Sequence, residues 1–293
     1  MGSQRSSTKR RLRAAVARLY RPPVLAGCAI LLGALIAAPH VVRLSRELAR
    51  QPIYLVEGGD VRISRPHEFV DAGFFREALG SARLTPPLSV VDPMLVPRLR
   101  RSLEAEPWVA EVSHLSATLQ DGVRVVLKYR EPALMVRTAD GLFPVDADGV
   151  VLPAEDFTPE TAAAFPTLRL FDAHPHAAGT RWRDERVLEA AAVVRTLRPF
   201  GGERTLWDRA GFREVRPVEV GEGLELLTAG GSRVVWGRAD SDGTVEPSTD
   251  QKIGKIESLL RQRETLDAPA GPYRIELRRW DYIAVEPIGG AVR

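Results

Sequence analysis

The first strong pattern along the chain is an apolar run from Val24 to Val42 that contains no Asp, Glu, Lys or Arg. At a rise of about 1.5 Å per residue, a helix over this run would be about 28 Å long, close to the roughly 30 Å hydrocarbon core of a bilayer. A cleaved signal peptide is the alternative, but cleavage after Ala38 needs a small residue where Ile36 stands, and Pro39 directly follows the bond. The pattern therefore predicts an uncleaved transmembrane helix over residues 24–42.

A charged, helix-prone linker over residues 43–51 follows, and Pro52 ends it because proline disrupts a helix interior. The next segment begins with a short extended stretch and then shows two helical patterns. Asp92-Pro93 is a helix start, since the Asp side chain accepts backbone N–H groups and proline at the first helical position loses no hydrogen bond. The apolar positions of this second helix recur every four residues and are predicted to face the core: Leu95, Leu99 and Leu103.

Two strands complete this first predicted domain. Residues 108–119 and 123–130 flank Gln120-Asp121-Gly122, and Asp-Gly between two extended segments predicts a hairpin. The second strand alternates apolar and mostly polar side chains, as a strand does when one face of its sheet is buried. We therefore predict a domain over residues 52–131 with the order strand, two helices, two strands.

The rest of the chain predicts a β-rich domain over residues 132–288 and a short tail over residues 289–293. The predicted elements are strands at 133–136, 142–145, 150–152, 224–228, 233–236, 273–278 and 282–286, and helices at 184–197 and from Ser248, where Ser248 and Gln251 form a capping-box pattern. The predicted fold class is α+β. It consists of a single N-terminal transmembrane helix, the strand-helix-helix-strand-strand domain, and a mixed β-sheet domain with helices on one face.

Charge is unevenly distributed along the chain. The formal net charge is +3, but residues 1–21 hold seven basic residues and no acidic one, so the sequence pI of about 9.2 reflects this short segment. Basic residues beside a membrane helix stay in the cytoplasm, which predicts a cytoplasmic tail over residues 1–23 and an extracytoplasmic C-terminus at the inner membrane. Nucleic acid is not an expected partner, because Tyr20 is the one aromatic residue of this tail and anionic lipid explains its charge better.

No residue pattern in the sequence indicates catalysis, a cofactor or a metal. The single Cys28 excludes a disulfide framework and Cys-rich metal sites, and the motifs of nucleotide-binding loops, serine hydrolases and zinc proteases are missing. His174-Pro175-His176 offers two imidazoles without a third ligand, and we interpret it as an exposed loop. Asp146 and Asp148 beside Gly149 lack the other ligands of a calcium loop, and we interpret them as turn residues. We therefore expect a protein that is not an enzyme and needs no cofactor, metal or small-molecule substrate.

Several segments, taken in order, resemble the FtsQ/DivIB family of bacterial cell-division proteins and its POTRA module. Asp92 with its helix, the segment Glu106 to Val112 (EPWVAEV), the hairpin, and the segment Tyr129 to Ala133 (YREPA) are similar to the module. Further on, Phe143 to Val151 (FPVDADGVV) and Arg274 to Arg278 (RIELR) resemble two later segments of the family. The resemblance implies a POTRA domain followed by a β-rich domain, in an inner-membrane protein found at the division septum.

The resemblance also implies a function and a site. In this family, the strand after the segment similar to RIELR receives the small division proteins FtsB and FtsL, and the resulting periplasmic complex regulates septal peptidoglycan synthesis. By position, the implied partner-binding residues are Arg279, Trp280, Tyr282, Ile283, Ala284, Val285 and Glu286. The implied protein is a non-enzymatic divisome scaffold that links membrane division proteins to an FtsB/FtsL-like subcomplex.

Strand addition gives this implied site a physical basis. The edge of a sheet presents unpaired N–H and C=O groups that a partner strand can bind, and rigid aromatics such as Trp280 and Tyr282 are effective anchors. The alternative for these aromatics is ordinary packing at the rim of a terminal strand. Two other classes of function stay open: a POTRA-type assembly or chaperone factor of another envelope complex, and a membrane-tethered wall enzyme.

Overall fold

A computed structural model describes residues 22–49, 51–56, 61–65, 68–71, 73–219, 221–239 and 241–289. The predicted basic tail before residue 22 and the predicted terminal residues 290–293 lie outside the described residues. Over the described part, the chain is an α+β protein with a mixed sheet. It divides into two compact units, which are described separately below.

The helices and strands have the following bounds. The α-helices are α1 (Pro22–Ala49), α2 (Phe74–Ser81), α3 (Leu95–Glu104), α4 (Pro159–Ala163), α5 (Glu185–Leu197), α6 (Leu206–Ala210) and α7 (Thr249–Gln262). The strands are β1 (Leu55–Val56), β2 (Val61–Ile63), β3 (Leu88–Ser89), β4 (Val109–Thr118), β5 (Gly122–Tyr129), β6 (Pro132–Arg137), β7 (Leu142–Asp146), β8 (Thr167–Arg169), β9 (Phe212–Pro217), β10 (Leu224–Thr228), β11 (Arg233–Gly237), β12 (Tyr273–Glu276) and β13 (Ala284–Pro287). Two short 3-10 helices span Pro52–Tyr54 and Ala154–Asp156.

The fold-class prediction is wrong about a transmembrane helix over residues 24–42. Among the described residues, no helix has the length and apolar composition that crossing a membrane requires. The helix that forms, α1, runs past the predicted end, and its last part contains Arg43, Arg46 and Glu47. One helix thus includes both the apolar run and most of the helix-prone linker that was predicted after it.

The first unit comprises the described residues of Met1–Arg62, Arg83–Leu99 and Leu115–Val125. Strands β1 and β3 pair antiparallel in it, with Leu55 opposite Ser89 and Val56 opposite Leu88. The Asp92 carboxylate accepts the backbone N–H of Met94 at 2.9 Å, which is the N-capping contact that the Asp-Pro pattern predicted. Helix α3 itself begins at Leu95, and its three predicted inward leucines are buried.

The second unit comprises Ile63–Ala82, Arg100–His114 and the described residues of Val126–Arg293. A hydrogen bond connects two of its N-terminal segments: the Ser102 hydroxyl donates to the Ala78 carbonyl at 2.6 Å. Trp108 donates its indole N–H to Asp156 at 2.7 Å and stacks on Phe157. The domain boundaries predicted between residues 51 and 52 and between residues 131 and 132 stay predictions.

The second unit contains an eight-stranded sheet in the order β13-β12-β11-β10-β9-β8-β6-β7. The pairs β6–β8, β8–β9 and β11–β12 are parallel, and the other four pairs are antiparallel. The described residues also form a three-stranded sheet in the order β2-β5-β4. The strands predicted at 133–136 and 142–145 form as β6 and β7, those predicted at 224–228 and 233–236 form as β10 and β11, and each pair is an antiparallel hairpin. The predicted strand at 150–152 contributes isolated bridges only.

Helices α5, α6 and α7 cover one face of the eight-stranded sheet and share a large apolar core with it. The opposite face is also covered in one place, because Met135 of β6 packs with Ala162 of the short helix α4 and with Phe165. Leu134 and Val136 of the same strand belong to the large core, so β6 is buried on both faces. The prediction that helices lie on one face is therefore wrong for α4.

Candidate partner-binding site

Strand β13 lies at one end of the eight-stranded sheet, and β12 is its one paired neighbour among the described strands. Its register places Val285 opposite Ile275 and Glu286 opposite Arg274. The Ile288 N–H donates to the Pro272 carbonyl at 2.8 Å, which makes this a hydrogen-bonded pair. Because hydrogen-bonded and non-hydrogen-bonded pairs alternate in an antiparallel ladder, the N–H and C=O of Val285 point away from β12. Val285 therefore presents a free donor and acceptor at the sheet edge.

Proline limits the length of this edge. Pro287, the last residue of β13, has no N–H to offer a partner strand, although its carbonyl is available. The ladder with β12 begins at Ala284, so Ile283 lies outside it. An incoming strand thus has its main hydrogen-bonding position at Val285.

The seven predicted site residues are close in sequence, but their side chains do not lie on one surface. Arg279, Trp280 and Tyr282 are in the loop before β13, since the strand begins at Ala284 and not at the predicted Tyr282. Trp280 is 45% exposed and Tyr282 is 57% exposed. These aromatic side chains are thus presented to solvent and are not core residues.

Inside and beside the strand, side chains alternate between two faces of the sheet. Ile283 and Val285 are half-buried and pack against the large apolar core. Glu286 is exposed, and Ala284 is half-buried like Val285. The side chains of Ile283 and Val285 therefore pack inside the protein, and their role in partner binding stays a prediction.

A groove runs beside this loop along helix α7. Its walls are the helix residues Gln251, Gly254, Lys255 and Ser258 on one side, and the loop from Trp280 to Ile283 on the other. The groove has a volume of about 380 Å³. It lies beside the exposed aromatics and extends to Ile283, the residue before β13, so a partner strand on β13 would have side-chain contacts available near its backbone contacts.

Lys255 holds the loop against helix α7. Its ammonium group donates to the carbonyl of Leu277 at 3.2 Å and also to the carbonyl of Arg279. Burial lowers the pKa of Lys255, and the carboxylates of Asp281 and Glu276 oppose this shift. The lysine therefore fixes the start of the loop that carries Trp280 and Tyr282.

The turn directly after β12 is fixed by a second charged group. Arg278 donates Nε to one carboxylate oxygen of Glu276 at 2.7 Å and Nη2 to the other at 2.9 Å. Burial tends to raise the pKa of Glu276, but the hydrogen bonds and charge of Arg278 outweigh it, so the pKa is lowered. Such a bidentate pair is geometrically specific and keeps the chain in one path after the strand.

Sequence reasoning missed a buried ion pair near this site, Lys252 with Glu246. Lys252 has no exposed surface, and its Nζ lies 3.4 Å from Glu246 Oε1 and 3.1 Å from the carbonyl oxygen of Arg238. Desolvation lowers the pKa of Lys252, while Glu246 raises it. A signal was present in the sequence, because position 252 lies on the same inward stripe of α7 as Ile256 and Leu259.

The other groups considered from sequence form no reactive constellation. Among the described residues, no cluster of His, Cys, Asp and Glu is arranged to hold a metal ion. The Asp146 carboxylate accepts the N–H groups of Asp148 and Val150 at 2.9 and 2.8 Å, so its prediction as a turn residue is confirmed. His174 is exposed and lies 3.8 Å from Asp140, while His176 packs edge-on against Trp182. The two histidines of this loop thus have separate neighbours.

Comparison of the sequence with protein-family models and with curated proteins finds no match. The resemblance to FtsQ/DivIB therefore rests on the quoted segments and their order.

Proposed function

We propose that this protein is a non-enzymatic scaffold of the bacterial division machinery that recruits FtsB/FtsL-like proteins and so regulates septal cell-wall synthesis. The observation that carries the proposal is the position of β13, which ends the described sheet with the N–H and C=O of Val285 directed outward. A partner strand added there gains main-chain hydrogen bonds to groups that the described strands leave unpaired.

The loop and the groove offer side-chain contacts in addition to the backbone groups of the sheet edge, and such contacts favour one partner over others. Trp280 and Tyr282 offer large exposed aromatic surface, and aromatic side chains are frequent in the residues that dominate binding energy at interfaces. Lys255 holds their loop in place, so little conformational entropy is lost when a partner binds. Affinity then comes from the backbone of β13, and selectivity comes from the groove along α7.

In this role the eight-stranded domain lies outside the cytoplasm, at the division septum, where membrane division proteins are also recruited. The protein acts by bringing partners together, and no reaction is assigned to it. A fluorescent fusion of the full chain is expected to form a ring at midcell in dividing cells. Uniform distribution over the cell envelope in dividing cells would contradict the septal role.

A proline substitution tests the edge mechanism directly. Val285→Pro removes the one N–H that β13 directs outward from its centre, and leaves its bonds to β12 in place. We expect this variant to lose capture of the co-expressed FtsB- and FtsL-type proteins in a pull-down. Val285→Ala is the matched control, because it removes the same side chain from the core but keeps the N–H, and it is expected to capture them normally.

Two outcomes decide the test. Both variants must first show the far-ultraviolet circular dichroism of the parent protein, so that a loss of binding is not a loss of fold. Equal capture by Val285→Pro and Val285→Ala would show that the partner does not pair with β13, and the strand-addition mechanism would then be abandoned.

A further inference from the structure

A basic pocket lies in the second unit, away from the β13 edge, between the ends of β6, β8 and β9. Four arginines line it, together with two acidic residues: Arg137, Arg169, Arg198, Arg213, Asp208 and Glu214. Its volume is about 320 Å³. Four guanidinium groups in so small a volume, with half as many carboxylates, leave an excess of two positive charges.

The two carboxylates of the pocket are already occupied by other groups. Glu214 accepts from Arg169 at 2.8 Å and is also bound by Arg216. Asp208 accepts the N–H and the hydroxyl of Thr205 at 3.1 and 2.6 Å, as part of the capping box of α6. Glu214 is thus shared between two arginines, whereas the charge of Asp208 acts on Arg198.

Two of the arginines lack an ionic partner. Within the part of the chain that the structure describes, Arg137 and Arg213 take part in no ion pair or hydrogen bond of the side chain, and both are exposed. Arg137 is also the direct neighbour of Arg169 in the parallel pair β6–β8. Like charges at opposite positions of neighbouring strands repel each other, and a bound anion would relieve that repulsion.

The remaining arginine connects this pocket to a second, more apolar one. Arg198 packs over the Phe165 ring at 5.0 Å and donates to the Ala164 carbonyl at 3.2 Å. It also lines a pocket of about 390 Å³ whose apolar walls include Phe69 and Phe200. The two pockets share Arg198, Phe165 and Asp208, and the second one combines the aromatic rings with polar residues such as Glu68.

We propose that the basic pocket binds a phosphate-type dianion, carried by a phosphomonoester or a diphosphate, and that the adjoining pocket receives the apolar group attached to it. The excess of two positive charges matches a dianion, whereas one carboxylate would leave half of it uncompensated. Guanidinium groups bind phosphate through paired N–H donors, and the unpaired Arg137 and Arg213 supply such donors. This site is independent of the edge strand and of its partners.

Titration of the full chain with inorganic phosphate and inorganic pyrophosphate tests the proposal. The calorimetric titration is run at low ionic strength, because salt screens the attraction. Saturable binding is expected, and Arg137→Ala and Arg213→Ala are each expected to weaken it about tenfold, the loss typical of a charged hydrogen bond. Arg183→Ala is the matched control, because it removes an exposed arginine outside the pocket and is expected to leave binding unchanged.

A second experiment, with lipid vesicles, distinguishes a lipid headgroup from a soluble ligand as the source of the phosphate group. Phosphatidylcholine vesicles with and without phosphatidic acid are sedimented with the parent protein and with each variant. Binding that requires phosphatidic acid, Arg137 and Arg213 would identify a lipid headgroup, whereas arginine-dependent binding of the free anions alone would identify a soluble ligand. Absence of binding in both arms would overturn the proposal, and so would an equal loss in Arg183→Ala, since total charge would then explain the effect.

Discussion

Lys252 and Glu246 form an ion pair with a 3.4 Å separation between Nζ and Oε1, in a place where Lys252 has no solvent exposure. The same glutamate accepts the backbone N–H of Arg238 at 2.7 Å, and the lysine lies over the Trp236 ring at 5.4 Å. The pair thus connects helix α7 to the end of β11 and to the segment between β11 and α7 that contains Glu246. This connection holds one wall of the groove beside Trp280.

Breaking this pair is expected to destabilise the protein strongly. Lys252→Met leaves the Glu246 carboxylate buried without its cation, and loss of one partner of a buried ion pair costs about 3–5 kcal/mol. Urea unfolding followed by tryptophan fluorescence should show that decrease in the free energy of unfolding. The double variant Lys252→Met, Glu246→Gln should recover most of it, because no unpaired charge then remains. A single variant as stable as the parent protein would contradict the assigned role.

Glu225 predicts a dependence of stability on pH. This carboxyl is 2% exposed, and its desolvation raises its pKa above the ordinary value of 4.5, although Arg233 and Arg274 oppose the shift. As pH rises above 4.5, the unfolded chain loses this proton before the folded chain does, so the group lowers the free energy of unfolding. Glu225→Gln is therefore expected to be more stable than the parent protein at neutral pH and equal to it below pH 4.5.

Urea unfolding of both proteins at several pH values, from about pH 4 to about pH 7, measures the difference between their free energies of unfolding. This range covers the titration of a glutamate with a raised pKa. Glu219→Gln is the control, because Glu219 is exposed and also lies near Arg233, so this change removes a similar charge without removing a buried one. A stability advantage of Glu225→Gln that is the same at both ends of the pH range would show that proton binding is not its cause.

Lys255 is expected to act through the loop it holds. Lys255→Ala removes the donor to the carbonyls of Leu277 and Arg279, so the loop with Trp280 and Tyr282 should exchange its amide hydrogens faster. Partner affinity should fall roughly tenfold, as expected for loss of a charged hydrogen bond that pre-organises the site. Gln262→Ala, at the end of the same helix, should change neither measurement. Faster exchange without weaker partner binding would separate the loop from the binding site.

Local patterns predicted the elements whose signals lie within a few residues. The capping box of Ser248 and Gln251 forms as expected and begins α7, and Asp184 caps α5. The Asp-Gly turn lies between β4 and β5, and the inward leucines of α3 are buried. Each of these features is decided by a hydrogen bond or a side-chain direction that the sequence shows directly.

Other elements depend on distant neighbours and were missed. Strand β8 has three residues, too few for an alternating pattern, and it exists because β6 and β9 pair with it on either side. Helix α6 was missed for another reason: its Thr205 and Asp208 capping box is a local signal, but the helix is a single short turn. The transmembrane helix predicted over residues 24–42 is wrong, because among the described residues no helix has the length and apolar composition that crossing a membrane requires.

The candidate site likewise has some features that local sequence patterns predict and others that depend on distant contacts. The sequence by itself determined that the chain ends in extended segments around Trp280 and Tyr282, since alternation and turn residues are local properties. Only the tertiary structure decided that β13 is the terminal strand of its sheet, that the side chains of Ile283 and Val285 face the core, and that Lys252 is buried against Glu246. These facts depend on strand order and on contacts between residues far apart in the chain, and a pattern of neighbouring residues does not contain that information.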